Sequence, residues 1–213
     1  MNVLLLGATG LVGGELLKLL LSCDEVKKIK VITRHNISQN SEKIEVIIDP
    51  MHDLSHLENV FNEVDHVYCC LGTTIKKAKS KQMFRHVDLE LPLQAALLSK
   101  RLDVSCFTIV TALGSSSDSS VFYNRVKGEL EDELKRLSLQ KLIIIKPSLL
   151  LGTRNETRLL ENIGQAMAPF INSLIPASFA RIRAVRASEV AELMLALSQD
   201  KEFRSDIIRT IYS

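Results

Sequence analysis

The chain has 213 residues, of which 46% are hydrophobic and 24% charged, a balance that supports a buried core and excludes disordered and collagen-like chains. Its formal net charge of +2 argues against a general nucleic-acid binder, and no apolar run reaches the roughly 18 residues of a membrane span. One domain over residues 1–213 is therefore expected, with a core over 1–150 and a C-terminal region over 151–213 that covers a substrate. Nucleic acid and membrane are not expected as partners. Met1-Asn2-Val3 starts a core strand and shows no signal-peptide pattern, so a cytoplasmic location is expected. Cys23, Cys69, Cys70 and Cys106 lack metal or disulfide spacing and read as reduced thiols.

In chain order, Val3–Leu6 reads as a buried parallel strand, and Leu11–Leu21 has the apolar spacing of a helix. The turn between them is Gly7-Ala8-Thr9-Gly10-Leu11-Val12-Gly13, a G-x-x-G-x-x-G run. Gly7 allows the tight turn, Gly10 lets a phosphate reach the backbone, and Gly13 lets the helix pack against the sheet. The helix N-terminus adds free N–H groups and a positive dipole end. All seven residues are assigned to a dinucleotide cradle.

Further strands are expected at Ile29–Thr33, Ile44–Ile48, His66–Cys70, Cys106–Val110, Leu142–Ile145 and, at the end, Ile207–Tyr212. Helices are expected at Leu11–Leu21, Leu54–Phe61, Lys79–Ser99 and Ser119–Leu137, then near Thr157–Ala168 and after Ser188. Alternating strands and helices predict an α/β Rossmann-type doubly wound parallel sheet. In such a sheet ligands lie beyond the carboxyl ends of the strands.

The residues at those ends are the candidates. After the second strand comes Thr33-Arg34-His35-Asn36, with no acid to meet a ribose 2′-hydroxyl. Arg34 suits a 2′-phosphate, so NADP(H) is expected over NAD(H). Leu71, Gly72 and Thr73 follow the fourth strand and Pro147 closes the sixth; these four join the cofactor-binding set. Tyr123 and Lys127 stand one helical turn apart on one face, where the ammonium can favour the phenolate of a group whose ordinary pKa is near 10. His52-Asp53-Leu54-Ser55-His56 imitates a zinc motif but has no third ligand, so no metal is expected. The lysines from Lys76 to Lys81 read as a solvated face, or as an attractor for an acidic substrate.

The cradle together with Tyr123-x-x-x-Lys127 resembles the short-chain dehydrogenase/reductase superfamily. Cys69-Cys70-Leu71-Gly72-Thr73-Thr74, Val110-Thr111-Ala112-Leu113-Gly114-Ser115, Phe122-Tyr123-Asn124-Arg125-Val126-Lys127-Gly128-Glu129 and Lys146-Pro147-Ser148-Leu149-Leu150-Leu151-Gly152-Thr153-Arg154 resemble the atypical Tat-interacting-protein-like oxidoreductases and their bacterial relatives. The resemblance implies that Tyr123 is the general acid/base. Lys127 would hold the nicotinamide ribose and lower the Tyr123 pKa. Thr111, twelve residues before Tyr123, would orient the carbonyl where the superfamily has Ser, with Ser115 or Ser116 as alternatives. Asp49, closing the third strand, would lie near the adenine, or would simply form a turn before Pro50. The expected activity is hydride transfer to or from a small carbonyl or alcohol. A regulatory NADP(H)-sensing module with a protein partner is the alternative.

Overall fold

The computed structural model of the protein describes residues 1–151, 184–200 and 207–211. The first unit is β1 (Asn2–Leu6), α1 (Leu11–Ser22) and β2 (Lys28–Thr33), followed by β3 (Ile44–Ile48), a 3₁₀ turn (Ser55–Leu57) and α2 (Glu58–Phe61). Next come β4 (His66–Cys69), the short helices α3 (Ile75–Ala78) and α4 (Lys81–Arg85), a π-helical turn (His86–Glu90) and α5 (Leu91–Arg101). β5 (Cys106–Val110), α6 (Phe122–Arg136), β6 (Leu142–Pro147) and β7 (Leu150–Leu151) follow, then β8 (Val185–Arg186), α7 (Ala187–Gln199) and β9 (Ile207–Ile211). The expected helix near Thr157–Ala168 lies outside the described residues.

The main sheet has seven parallel strands in the order β3-β2-β1-β4-β5-β6-β9. It is the Rossmann-like fold that the alternation predicts. Strands buried on both faces need apolar residues at every position, and β1 shows why. Val3 and Leu5 pack with Leu16 and Leu17 of α1 and Val190 and Met194 of α7. Leu4 and Leu6 face the other way, toward Phe84 of α4, Ala95 of α5 and Leu130 of α6. The described part of the C-terminal region thus completes the core: α7 shares a face with α1, and β9 extends the sheet beside β6. The buried Lys141 ammonium donates to the carbonyls of Leu197 (2.7 Å) and Asp200 (2.6 Å), meeting the open end of α7.

The expected helix over Lys79–Ser99 is three pieces, α4, the π turn and α5. Pro92 has no N–H for the Asp88 carbonyl, and its ring would crowd that carbonyl in a regular helix. The neighbouring Leu91 N–H instead reaches back to the carbonyl of His86, an i−5 bond. This π turn sets Asp88 inward, where its side chain is 1% exposed.

α1 sits against the sheet through glycine contact. Gly7 has φ +85°, and a Cβ on Gly13 would lie 2.1 Å from the Gly7 carbonyl oxygen. Backbone cannot yield at that distance. Gly13→Ala is expected to cost about 1–3 kcal/mol by overpacking, read as a lower midpoint in chemical denaturation; an unchanged midpoint would refute the close approach.

Candidate active site

The cradle occupies the carboxyl end of β1. Gly7 takes the left-handed conformation that the turn requires, and a methyl there would strike the Cys70 carbonyl oxygen at 2.4 Å. The Gly10 N–H closes the turn onto the Gly7 carbonyl at 2.9 Å. Gly10 is also the N-cap of α1, so no side chain caps the helix and no acid stands in its first turn. Its N–H groups and dipole are left facing outward, as a pyrophosphate requires. Thr9 and Gly10 are exposed, Leu11 is half-buried, and Ala8 and Val12 are buried in the core.

Tyr123 lies in the first turn of α6 and Lys127 one turn on. The Phe84 ring packs 5.6 Å from the Tyr123 ring and holds it on one side. Lys127 is 3% exposed, and its ammonium contacts the Asp88 carboxylate at 2.8 Å. The other Asp88 oxygen accepts the Thr73 N–H at 2.8 Å. Gly72 completes the cluster: a Cβ there would lie 3.5 Å from Asp88 Oδ1 and 4.0 Å from Lys127 Nζ. The structure thus brings Gly72, Thr73 and Lys127 together through Asp88, a residue that the sequence reading passed over. Its available signal was Pro92, four residues on, which marks a disturbed helix turn.

The electrostatics differ from the simple expectation that Lys127 lowers the Tyr123 pKa. Burial raises Tyr123 above its usual value, Lys127 opposes that, and Asp88 adds to it, so the phenol is held in its protonated form. Burial works against the Lys127 charge, but Asp88 and then Tyr123 favour it, and its pKa ends up raised. Cys69, on β4 beside the pair, is pushed up to about 11 by burial and stays a thiol.

The Thr111 hydroxyl donates to Glu131 at 2.7 Å, and both residues are buried. Lys146 binds the other Glu131 oxygen at 2.8 Å and the Ser115 carbonyl at 3.2 Å. The network fastens the loop after β5 to α6 and β6. The Ser115 hydroxyl donates to the Ala112 carbonyl at 2.6 Å, while the Ser116 hydroxyl accepts the Asp118 N–H at 3.3 Å. A Cβ on Gly128, next to Lys127, would come 2.1 Å from the Ser116 carbonyl carbon, so this loop lies directly on α6.

At the end expected to meet adenosine, Arg34 is exposed just past β2 and makes no ion pair among the described residues. Asp49 is buried, with one oxygen accepting the Met51 N–H at 2.6 Å and the other 2.7 Å from His56 Nε2. Its carboxylate organises the turn after β3, and His56 of the zinc-like sequence is engaged there. Leu71 is half-buried; Pro147 is buried, and its carbonyl accepts the Leu113 N–H at 2.9 Å.

The glycine turn, the uncapped helix and the cluster beside Gly72 fit a dinucleotide. Comparison with known proteins adds lineage to geometry. The HIM1 family model matches residues 36–176. The chain belongs to the HIM1 family. Among curated relatives, Protein FMP52, mitochondrial, of Eremothecium gossypii is 31% identical over 94% of this chain and 91% of that protein. Protein HTATIP2 of Rattus norvegicus is 31% identical over 91% of this chain and 79% of its own length. Solved structures with the same fold include MoeE5 in complex with UDP-glucuronic acid and NAD, with TM-score 0.76 and 11% identity over 100% of this chain and 77% of that one. WbmH of Bordetella bronchiseptica in complex with NAD+ gives TM-score 0.74 and 13% identity, covering 100% and 75%.

One expectation is overturned. The FMP52 relatives from Scheffersomyces stipitis, Eremothecium gossypii and Candida albicans are all named mitochondrial, against the cytoplasmic location expected from sequence. Among the described residues no helix is long and apolar enough to cross a membrane, which says nothing about compartment.

Removing one partner of a buried ion pair strands the other charge, whereas replacing both by apolar groups does not. Asp88→Ala is expected to destabilise the protein by about 3–5 kcal/mol in urea denaturation. The double variant Asp88→Leu, Lys127→Met should recover most of that loss; additive losses would rule out the buried pair.

Proposed function

We propose that this HIM1-family protein is an NADP(H)-dependent oxidoreductase of the short-chain dehydrogenase type, acting on a small carbonyl or alcohol. The observation that carries the reading is the juxtaposition of Tyr123, Lys127 and Gly72 beside a glycine cradle with open helix N–H groups. A nicotinamide bound there supplies or accepts hydride. Gly7 to Gly13 hold the pyrophosphate, Leu71 to Thr73 flank the middle of the dinucleotide, and Pro147 bounds the far side. Lys127 holds the nicotinamide ribose. Tyr123, kept protonated by burial, gives its proton to the substrate oxygen during reduction. Thr111 can donate its O–H to a carbonyl only after releasing Glu131, whereas Ser116 in the same loop accepts the Asp118 N–H and does not commit its own O–H in that bond. The mitochondrial names of the fungal relatives support that compartment for this activity.

Arg34, exposed and without a carboxylate partner among the described residues, favours NADP(H) by pairing with the 2′-phosphate. Hydrogen bonds to charged groups contribute about 1.5–3 kcal/mol. Arg34→Ala is therefore expected to weaken NADPH binding roughly 10–100-fold and leave NADH binding nearly as it was; equal losses for both would remove the role.

Tyr123→Phe should lower NADPH-dependent carbonyl reduction by about 10²–10⁴-fold without loss of cofactor affinity. Because Tyr123 acts in its protonated form and its pKa is raised, the reduction rate should be flat through neutral pH. It should fall only as pH climbs past the ordinary tyrosine range. Alcohol oxidation should rise over the same interval, and a reduction rate that declines below neutral pH would exclude Tyr123 as the donor.

The engaged Thr111 hydroxyl favours a second reading, in which bound NADP(H) is sensed and a protein partner is the output. Tight NADPH binding with no turnover over a broad carbonyl panel, and a partner captured only with cofactor present, would select it.

A further inference from the structure

From Leu71 to Val87 the chain carries Lys76, Lys77, Lys79, Lys81 and Arg85 and no Asp or Glu. That local charge exceeds the net +2 of the whole protein, so the remainder is net acidic. Arg85 is neutralised by Glu129 at 2.6 Å. The four lysines are exposed and make no ion pair among the described residues.

The fold sets this charge beside Tyr123. Phe84, on the same short helix as Lys81, packs 5.6 Å from the rings of both Phe122 and Tyr123. Lys81 Nζ stands over the Phe122 ring at 5.4 Å, and the Arg125 guanidinium stands over the same ring at 5.9 Å. Asp118, exposed in the loop after β5, is the acid of that loop. The lysines cannot belong to the adenosine phosphate. They follow β4, while Arg34 follows β2 on the other side of β1. A cleft lined by one sign of charge concentrates ligands of the other sign.

We propose that the substrate is anionic, a small carbonyl or alcohol bearing a carboxylate or phosphate, with the anion held by Lys81 over Phe122 and drawn in by the neighbouring lysines. This rests on the oxidoreductase reading of Tyr123. Lys81 is then a specificity residue, and its partner is the part of the substrate that does not react.

The test uses matched substrates with NADPH: benzaldehyde, 4-carboxybenzaldehyde and 4-formylphenyl phosphate. Either acid should exceed the neutral aldehyde in kcat/KM by about tenfold, mainly through KM, with the advantage shrinking as salt rises. The better acid identifies the anion. Lys81→Ala should bring the acid-to-neutral ratio toward one. Equal kcat/KM for charged and neutral aldehydes, or a ratio that survives Lys81→Ala, would overturn the proposal while leaving the oxidoreductase reading intact. Calorimetry with benzoate and phenyl phosphate on the NADPH-loaded protein separates the two ideas. Lys81-dependent binding without turnover would uphold the anion site and reject the chemistry. Binding to phosphatidylserine vesicles with no preference among these small acids would assign the lysines, with exposed Ile75 and Met83, to a lipid surface and overturn the proposal.

Discussion

The contact between Lys127 and Asp88 holds the candidate site together. An ammonium and a carboxylate, 3% and 1% exposed, are tolerable in a core only as a pair with their remaining hydrogen-bonding capacity met. That requirement fixes three pieces of chain at once. α6 must present Lys127 inward, the π turn must present Asp88, and the loop after β4 must offer the Thr73 N–H to the second carboxylate oxygen. The pair makes shifts of any of these pieces expensive, and a Cβ on Gly72 would lie at ordinary contact distance from both charges.

The same pair decides how Tyr123 behaves. A lone buried ammonium next to a phenol would favour the phenolate strongly, since the interaction is weakly screened. With Asp88 beside it, Lys127 is part of a nearly neutral unit, and burial becomes the larger influence on the phenol. The site is thus biased toward a tyrosine that carries its proton. A ligand hydroxyl that drew Lys127 away from Asp88 would change this balance, so the protonation of Tyr123 is coupled to what Lys127 is bonded to.

Most of the fold was legible because its signals are local. The apolar run of β1 and the glycine spacing after it constrain backbone within a dozen residues, and the alternation of strands and helices specifies a parallel sheet. Tyr123 and Lys127 were legible for the same reason: residues four apart on a helix are neighbours. Asp88 was not, because its significance comes from Lys127 and Thr73, which are 39 and 15 positions away. The break in the helix predicted over Lys79–Ser99 was half legible, since Pro92 marks a disturbance without saying that the turn widens into a π turn. Thr111 was chosen by its spacing from Tyr123, yet spacing could not reveal that Glu131, itself paired with Lys146, accepts its hydroxyl in the core.

The order of the strands explains why charge is distributed as it is. The sheet grows outward from β1 in both directions, toward β2 on one side and β4 on the other. The crevice at their carboxyl ends therefore has two distinct walls. Among the described residues, the wall after β2 carries the exposed Arg34, while the wall after β4 carries four lysines, of which Lys81 stands beside the aromatic cluster of Phe84, Phe122 and Tyr123. A dinucleotide lying across β1 meets both walls. Under the proposed function Arg34 would face its adenosine end, and its reactive end would open onto a positive surface whose field the cofactor's own phosphates, one strand away, would only partly offset.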